Sequence, residues 1–380
     1  MKLNQRTVDQ IHSPIGEAFA LVEKRGGRLP LINVSQAAPS HPCPPQVADH
    51  LARAVYEPDA GFYCPQEGLV HLREAFAADL TTSGVGAVEP DQILITAGCN
   101  QAFALTVSAL CSEGDEVIIV EPFYFNHDMW LRLQGFVPIY APNATAEAIA
   151  PFITGRTRAV VVVSPGNPTG ETIAAAELSA IYALCDFHDL TFILDETYRS
   201  FRGVDDAPHT LHKREGWGDR LVSLHSFSKE FAIPGYRVGA AVAGLPLLAE
   251  VMKLLDCVTI CAPRIGQEAA WAGLTMATEW RSEQARRVRS RQAAFEAVMA
   301  GSPGGFTLET AGAYFGWVRA PDNSGPTAVV VERLIVDHDV LTIPGTAFTR
   351  EDRDMIRMSF ANLDEAQIDD LGARLATFSP

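Results

Sequence analysis

Ala159-Val160-Val161-Val162-Val163-Ser164-Pro165-Gly166-Asn167-Pro168-Thr169-Gly170 is an unbroken apolar run that ends in a polar turn. Apolar residues without alternation read as a strand covered on both faces, the habit of parallel sheets. Four more runs share this character: Ile93-Leu94-Ile95, Val117-Ile118-Ile119-Val120, Phe192-Ile193-Leu194 and Leu221-Val222-Ser223-Leu224. The segments between them, such as Gln101 to Leu110 and Ala174 to His188, carry helical spacing. Strand-helix alternation of this kind argues for an α/β fold with a parallel sheet. Outside this block the pattern changes. Glu279 to Met299 is charged and apolar at helical spacing, and the remaining C-terminal residues mix strand and helix signals. Near the other end, Pro39-Ser40-His41-Pro42-Cys43-Pro44-Pro45 holds the chain extended and marks a boundary. The expected organisation is a large unit over residues 46–278 and a smaller α+β unit assembled from both chain ends, 1–45 and 279–380.

The chain has 380 residues, 47% hydrophobic and 20% charged, which suits a globular protein with a large core. Its formal net charge of -16 repels phosphate backbones and anionic lipid, so neither nucleic acid nor membrane is expected as a partner. The seven cysteines are odd in number and scattered. The close pair Cys257 and Cys261 lacks the further ligands of a metal site, so no metal is expected and all seven read as reduced thiols of a cytoplasmic protein. The N-terminal residues lack the apolar core of a signal peptide, and no apolar run reaches the length of a membrane span.

In parallel α/β sheets, ligands collect at the carboxyl ends of the strands. Here those ends read Gly98-Cys99-Asn100, Gly166-Asn167-Pro168, Asp195-Glu196-Thr197-Tyr198 and Ser226-Phe227-Ser228-Lys229. Ser226, Ser228 and Arg237 offer two hydroxyls and a guanidinium to a phosphate dianion, and a helix starting after Gly98 offers its free N–H groups to the same anion. Lys229 beside them suits Schiff-base chemistry if its amine is close to neutral. Alone, so short a motif would describe a surface lysine at a loop end. Asp195 closes an apolar strand, where an isolated aspartate is usually a cap or a structural partner. Its functional reading is a carboxylate that keeps a pyridine nitrogen protonated, a charge-assisted hydrogen bond of roughly 1.5–3 kcal/mol that makes the ring an electron sink. Asn167-Pro168-Thr169-Gly170 would be a turn in any protein, but that does not explain an asparagine level with Asp195 at a strand end.

Taken in order, the sets Gly98-Cys99-Asn100-Gln101-Ala102, Ser164 to Gly170, Asp195 to Tyr198, Ser226 to Lys229 and Arg237-Val238-Gly239 resemble the fold-type I pyridoxal-phosphate aminotransferases, the aspartate aminotransferase-like class. The resemblance runs from about Pro30 to Phe360. It implies a mostly parallel seven-stranded sheet flanked by helices, and pyridoxal 5'-phosphate as cofactor. It also implies a homodimer with shared active sites, and a ping-pong exchange of an amino group between an α-amino acid and a 2-oxo acid. By the same resemblance Lys229 binds the cofactor and moves the proton at Cα, Asp195 meets the pyridine nitrogen, and Asn167 and Tyr198 meet the 3'-oxygen. Ser226, Ser228, Arg237 and the amides of Gly98, Cys99 and Asn100 hold the phosphate, and Tyr124 stacks on the ring. His127 either supports Asp195 or is an ordinary core histidine. Arg357 binds the substrate α-carboxylate, with a structural ion pair as the alternative. Tyr63 reaches the phosphate of the neighbouring subunit.

Two departures from the family pattern bear on the substrate. Ala37-Ala38-Pro39 stands where the family often has Gly-x-Pro, which places Ala38 near the substrate. Arg264 is out of register with the arginine that some members use for a side-chain carboxylate, so a dicarboxylate substrate is not expected. Two other activities compete. A carbon–sulfur β-lyase would use the same residues, whereas a pyridoxal-phosphate-dependent regulator would need a helix-turn-helix and a basic patch, and neither is expected.

Overall fold

The computed structural model describes every residue from Met1 to Pro380. Its centre is a seven-stranded sheet in the order Ile93–Thr96, Gly239–Val242, Leu221–Ser226, Thr191–Asp195, Thr157–Val163, Glu116–Val120, Val137–Ala141. Gly239–Val242 runs antiparallel to both its neighbours, and the other pairings among the remaining strands are parallel. Val160 and Val162 join one hydrophobic cluster and Ala159 and Val161 another, so successive residues of one strand enter cores on opposite faces. That double burial is why the strands read as continuous apolar runs.

All five strands expected from the sequence are present. Two more carry weak signals. Val137–Ala141 contains Pro138, which a sheet tolerates at an edge, and it is the edge strand. Gly239–Val242 is built from small residues with little strand signature of their own. The helices Cys99–Leu110, Ala175–Phe187 and Thr278–Met299 lie where the helical spacing placed them.

A second sheet of four antiparallel strands has the order Ile343–Pro344, Met355–Ser359, Phe315–Arg319, Thr307–Gly312. Its core draws Ala18, Ile32 and Val34 from the start of the chain and Phe295, Phe306 and Leu371 from the end. A short parallel pair, Ile32–Asn33 with Val340–Leu341, ties the two ends together. The C-terminal helix Glu365–Ala376 begins with a capping box between Asp364 and Gln367, which satisfies two amide groups that a helix start leaves free. No helix is long and apolar enough to cross a membrane. All seven cysteines are free.

Candidate active site

A cavity opens at the carboxyl ends of the parallel strands, between the two cores. Its lining contains Cys99, Asn100, Tyr124, Asn167, Asp195, Tyr198, Ser226, Ser228, Lys229, Arg237 and Arg357. Three sequence-expected residues are absent from the lining. Gly98 lies one layer back, with φ of 92°, and a Cβ there would stand 2.5 Å from Arg237 Nη2, so only glycine lets that guanidinium approach. Ala38 is replaced by its neighbours Gln36 and Ala37, and the Ala37 carbonyl accepts a hydrogen bond from Lys229 Nζ. The Ala38 expectation is therefore corrected by one residue. Its N–H instead closes a local turn onto the Gln36 carbonyl at 2.8 Å. Tyr63 is 76% exposed, on a segment that also exposes Phe62 and Tyr56.

Asp195 ends the strand Thr191–Asp195 and is buried. Its Oδ1 accepts the Thr197 N–H at 2.9 Å, and its Oδ2 lies 3.3 Å from His127 Nε2 and 3.7 Å from the Cys99 thiol. Burial pushes the carboxyl pKa up, but the His127 hydrogen bond and charge, with Thr197, more than offset this and hold it below the ordinary carboxylate value. His127 in turn stacks on Phe103 with centroids 3.9 Å apart. It touches Asp195, as one of its two sequence readings required. Thr197 was not singled out, although an aspartate followed two residues later by a free N–H is a common local turn.

Lys229 lies in the one-turn helix Phe227–Glu230 that follows the strand Leu221–Ser226, with the Ser226 hydroxyl accepting the Ser228 N–H at 3.3 Å. Burial, reinforced by the charges of Arg357 and Arg237, pushes the Lys229 amine down to about 8. Tyr198 is buried, and loss of hydration pushes its phenol well above the ordinary value, so it keeps its proton. The Tyr124 hydroxyl accepts from Asn126 Nδ2 at 2.9 Å and reaches Asn100 Oδ1 at 3.5 Å.

Arg357 comes from the other core. It is 2% exposed, in the middle of the strand Met355–Ser359, with its guanidinium carbon 4.8 Å and 5.0 Å from the ring centres of Phe315 and Phe348. Nη1 donates to Asn167 Oδ1 at 2.8 Å and Nη2 donates to the Ser35 carbonyl, while Nε has no partner. Burial pushes its pKa down to about 10. No carboxylate of the chain pairs with it, which removes the structural ion pair as an explanation.

The family described as aminotransferase class I and II matches residues 30–375. The chain belongs to the class I and II aminotransferases. An aromatic aminotransferase of Arabidopsis thaliana is 31% identical to it over 349 residues, covering 87% of this chain and 86% of the relative. An aspartate aminotransferase of Pyrococcus abyssi is 26% identical over 360 residues, covering 92% of each. The solved aspartate aminotransferase of Thermus thermophilus with maleate superposes with a TM-score of 0.90 at 24% identity over 99% of each chain, which supports the fold.

This aminotransferase depends on pyridoxal 5'-phosphate and moves an amino group between an amino acid and a 2-oxo acid. The cavity fits that cofactor by its donors. Its lining brings together Ser226, Ser228, Arg237 and the first residues of the helix Cys99–Leu110, which offer donors to a phosphate, with the buried carboxylate of Asp195. Ile15, Gln36, Phe125 and Pro234 also line the cavity and were not anticipated. Ile15 belongs to the N-terminal helix Pro14–Val22, which only tertiary folding brings to the strand ends.

The depressed lysine makes a pH prediction. In the cofactor-free aminotransferase, only the neutral amine captures an aldehyde. Uptake of pyridoxal phosphate, followed by absorbance, should therefore rise about tenfold per pH unit below about 8 and level off above it. A profile that keeps climbing toward the ordinary lysine range would show that Lys229 is not desolvated.

Proposed function

We propose that the cavity is the site of a ping-pong transamination in which Lys229, Asp195 and Arg357 divide the work, and that the donor is a monocarboxylic amino acid with an apolar or aromatic side chain. The observation that carries the reading is Arg357: a buried guanidinium, held between two aromatic rings, with an unpartnered Nε and no carboxylate of its own. A planar fork of this kind suits the α-carboxylate of a substrate. When bound, the cofactor supplies an electron sink for the carbanion at Cα. Asp195, kept ionised by His127, holds a proton on the pyridine nitrogen. Asn167 and Tyr198 hydrogen-bond the 3'-oxygen, and Asn167 at the same time fixes the Arg357 guanidinium. Lys229, neutral above about pH 8, would take the proton from Cα of the amino acid and deliver it to the cofactor carbon on the other side of the amino nitrogen. Ser226, Ser228, Arg237 and the amides at Cys99 and Asn100 hold the phosphate, with Gly98 leaving room for Arg237, and Tyr124 covers the ring.

The donor class follows from what the cavity lacks. Its cations are Lys229, Arg237 and Arg357, each already assigned. Arg264 pairs with Asp59 at 2.8 Å. Ile15 and Phe125 supply apolar lining. The test is a panel of amino acids scored by conversion of the bound cofactor from its aldehyde to its amine form, with the 2-oxo acid identified. Aromatic and branched donors should convert fastest. Release of pyruvate and ammonia without conversion would show a lyase instead, and preference for aspartate or glutamate would overturn the donor class.

Arg357→Leu should weaken amino acids by about 2–5 kcal/mol in kcat/KM, roughly 30- to 4,000-fold, because the substrate carboxylate is left buried without a partner. Simple amines lacking the carboxylate should lose far less. Equal losses for both would make Arg357 structural.

The reading extends to assembly. Residues 46–278 would form the cofactor-binding unit, with 1–45 and 279–380 forming the other, and the enzyme would be a cytoplasmic homodimer. Free cysteines support a reducing compartment, and the exposed Tyr56, Phe62 and Tyr63 support a two-fold contact. Tyr63 would then reach the partner's phosphate. Mixing Lys229→Ala chains with Tyr63→Ala chains at limiting cofactor should give hybrids with one intact site and activity above that of the two parents. Verified hybrids without such a gain would place Tyr63 outside any shared site.

A further inference from the structure

Away from the active site, a polar basin of about 480 Å³ lies between the end of the helix Val70–Thr82, the segment around Arg199 to Asp206, and the first turns of the helix Thr278–Met299. It shares no lining residue with the active-site cavity. Five arginines line it: Arg199, Arg202, Arg281, Arg286 and Arg289. In a chain with net charge -16 this is a reversal of the prevailing sign. The sequence reading expects no basic patch; the fold makes one by bringing separate segments together.

Two of the five arginines are compensated. Arg199 pairs with Asp79 at 2.5 Å and Glu230 at 2.9 Å, and Arg281 pairs with the same carboxylates at 2.7 Å and 3.3 Å. This closed square of charges occupies both acids. Asp206, on the rim, accepts the Gly203 N–H at 2.9 Å. Glu283, on the same helix as Arg286 and Arg289, pairs with Arg287 instead.

Arg202, Arg286 and Arg289 make no ion pair or hydrogen bond within the chain, although the charges of Glu196, Asp206 and Glu230 reach Arg202. Arg286 and Arg289, three residues apart, share a helix face with Ser282, so their like charges lie side by side. Arg202 is half-buried beside them, and its pKa is lowered chiefly by loss of hydration. Three guanidinium groups without an ion-pair partner converge on one concavity, and planar guanidinium forks match carboxylates and phosphates bidentately. Only one of the thirteen lining residues is hydrophobic, so the matching molecule is polar throughout. The volume is in the range of small-molecule sites, and the basin is open to solvent.

We propose that this basin binds a small multivalent oxyanion, a molecule carrying two or more phosphate or carboxylate groups. Inorganic pyrophosphate and citrate serve as probes, titrated calorimetrically into the cofactor-loaded enzyme at fixed ionic strength. At least one should bind, with an affinity that falls as salt rises. The double variant R286A/R289A, altered on an exposed helix face, should bind about tenfold more weakly or worse while keeping the wild-type rate of transamination. Arg202→Ala should also weaken binding, and it tests the site from a different segment if the double variant loses its cofactor absorbance. Response to pyrophosphate alone would identify a phosphate-bearing ligand, and response to citrate alone a polycarboxylate. If neither anion binds at millimolar concentration, or if one binds equally to the wild type and the variants, the proposal fails; citrate held only at Arg357 would give that second result.

Discussion

Replacing Lys229 by alanine should cost at least about four orders of magnitude in turnover, since in the proposed mechanism one side chain would supply both cofactor attachment and the proton transfer at Cα. No other lysine lines the cavity to take its place. Its amine is held near neutrality by burial and by Arg357 and Arg237, so the charge lost in the variant is a poorly tolerated one and the fold should survive. The Ala37 carbonyl that now accepts from Nζ can turn to water in an open cavity. Borohydride should fix the cofactor to the wild-type chain and fail to do so in the variant. Mapping of the reduced adduct to any peptide other than the one containing Lys229 would sink the assignment.

Asp195→Ala should be the next most damaging change, slowing Cα deprotonation by on the order of 10²- to 10³-fold, the usual worth of one buried charge aimed at a developing one. The proposed phosphate donors Ser226, Ser228 and Arg237 are untouched, so much of the cofactor should remain bound. His127 loses its carboxylate at 3.3 Å, and some thermal stability should go with it. Single-turnover kinetics with saturating amino acid isolates the step. A near-normal rate in a folded variant would show that Asp195 only positions His127.

Much of this site was legible because parallel strands buried on both faces write themselves as uninterrupted apolar runs, and each run stops where its ligand-bearing turn begins. Asn167, Asp195, Ser226 and Lys229 all stand within a few residues of such a stop. Arg357 was legible for a different reason, through the family resemblance of the strand that carries it. What stayed hidden depends on packing between distant segments. Ile15 reaches the cavity from the N-terminal helix, and Gln36 and Ala37 reach it from an extended stretch where no periodicity fixes which residue faces inward. Ala38 was expected from the family's Gly-x-Pro pattern, and the cavity is lined by its neighbour Ala37. The arginine basin escaped notice because its members are spread from Arg199 to Arg289 and no local pattern marks which of them converge.

The antiparallel strand Gly239–Val242 sits between the first strand of the sheet, Ile93–Thr96, and Leu221–Ser226. This order has a consequence for how the chain is made. As it leaves the ribosome, the strands from Glu116 to Ser226 find parallel neighbours among themselves, but Ile93–Thr96 has no place in the sheet until Val242 has emerged. The helix Cys99–Leu110, whose first amides are the proposed phosphate donors, follows that waiting strand directly in the chain. Such a long-range closure is slow, and it leaves apolar edges uncovered meanwhile. Nascent chains should therefore be most in need of chaperones while the middle of the molecule is already ordered, and cofactor should begin to protect the chain only after residue 242 is in place.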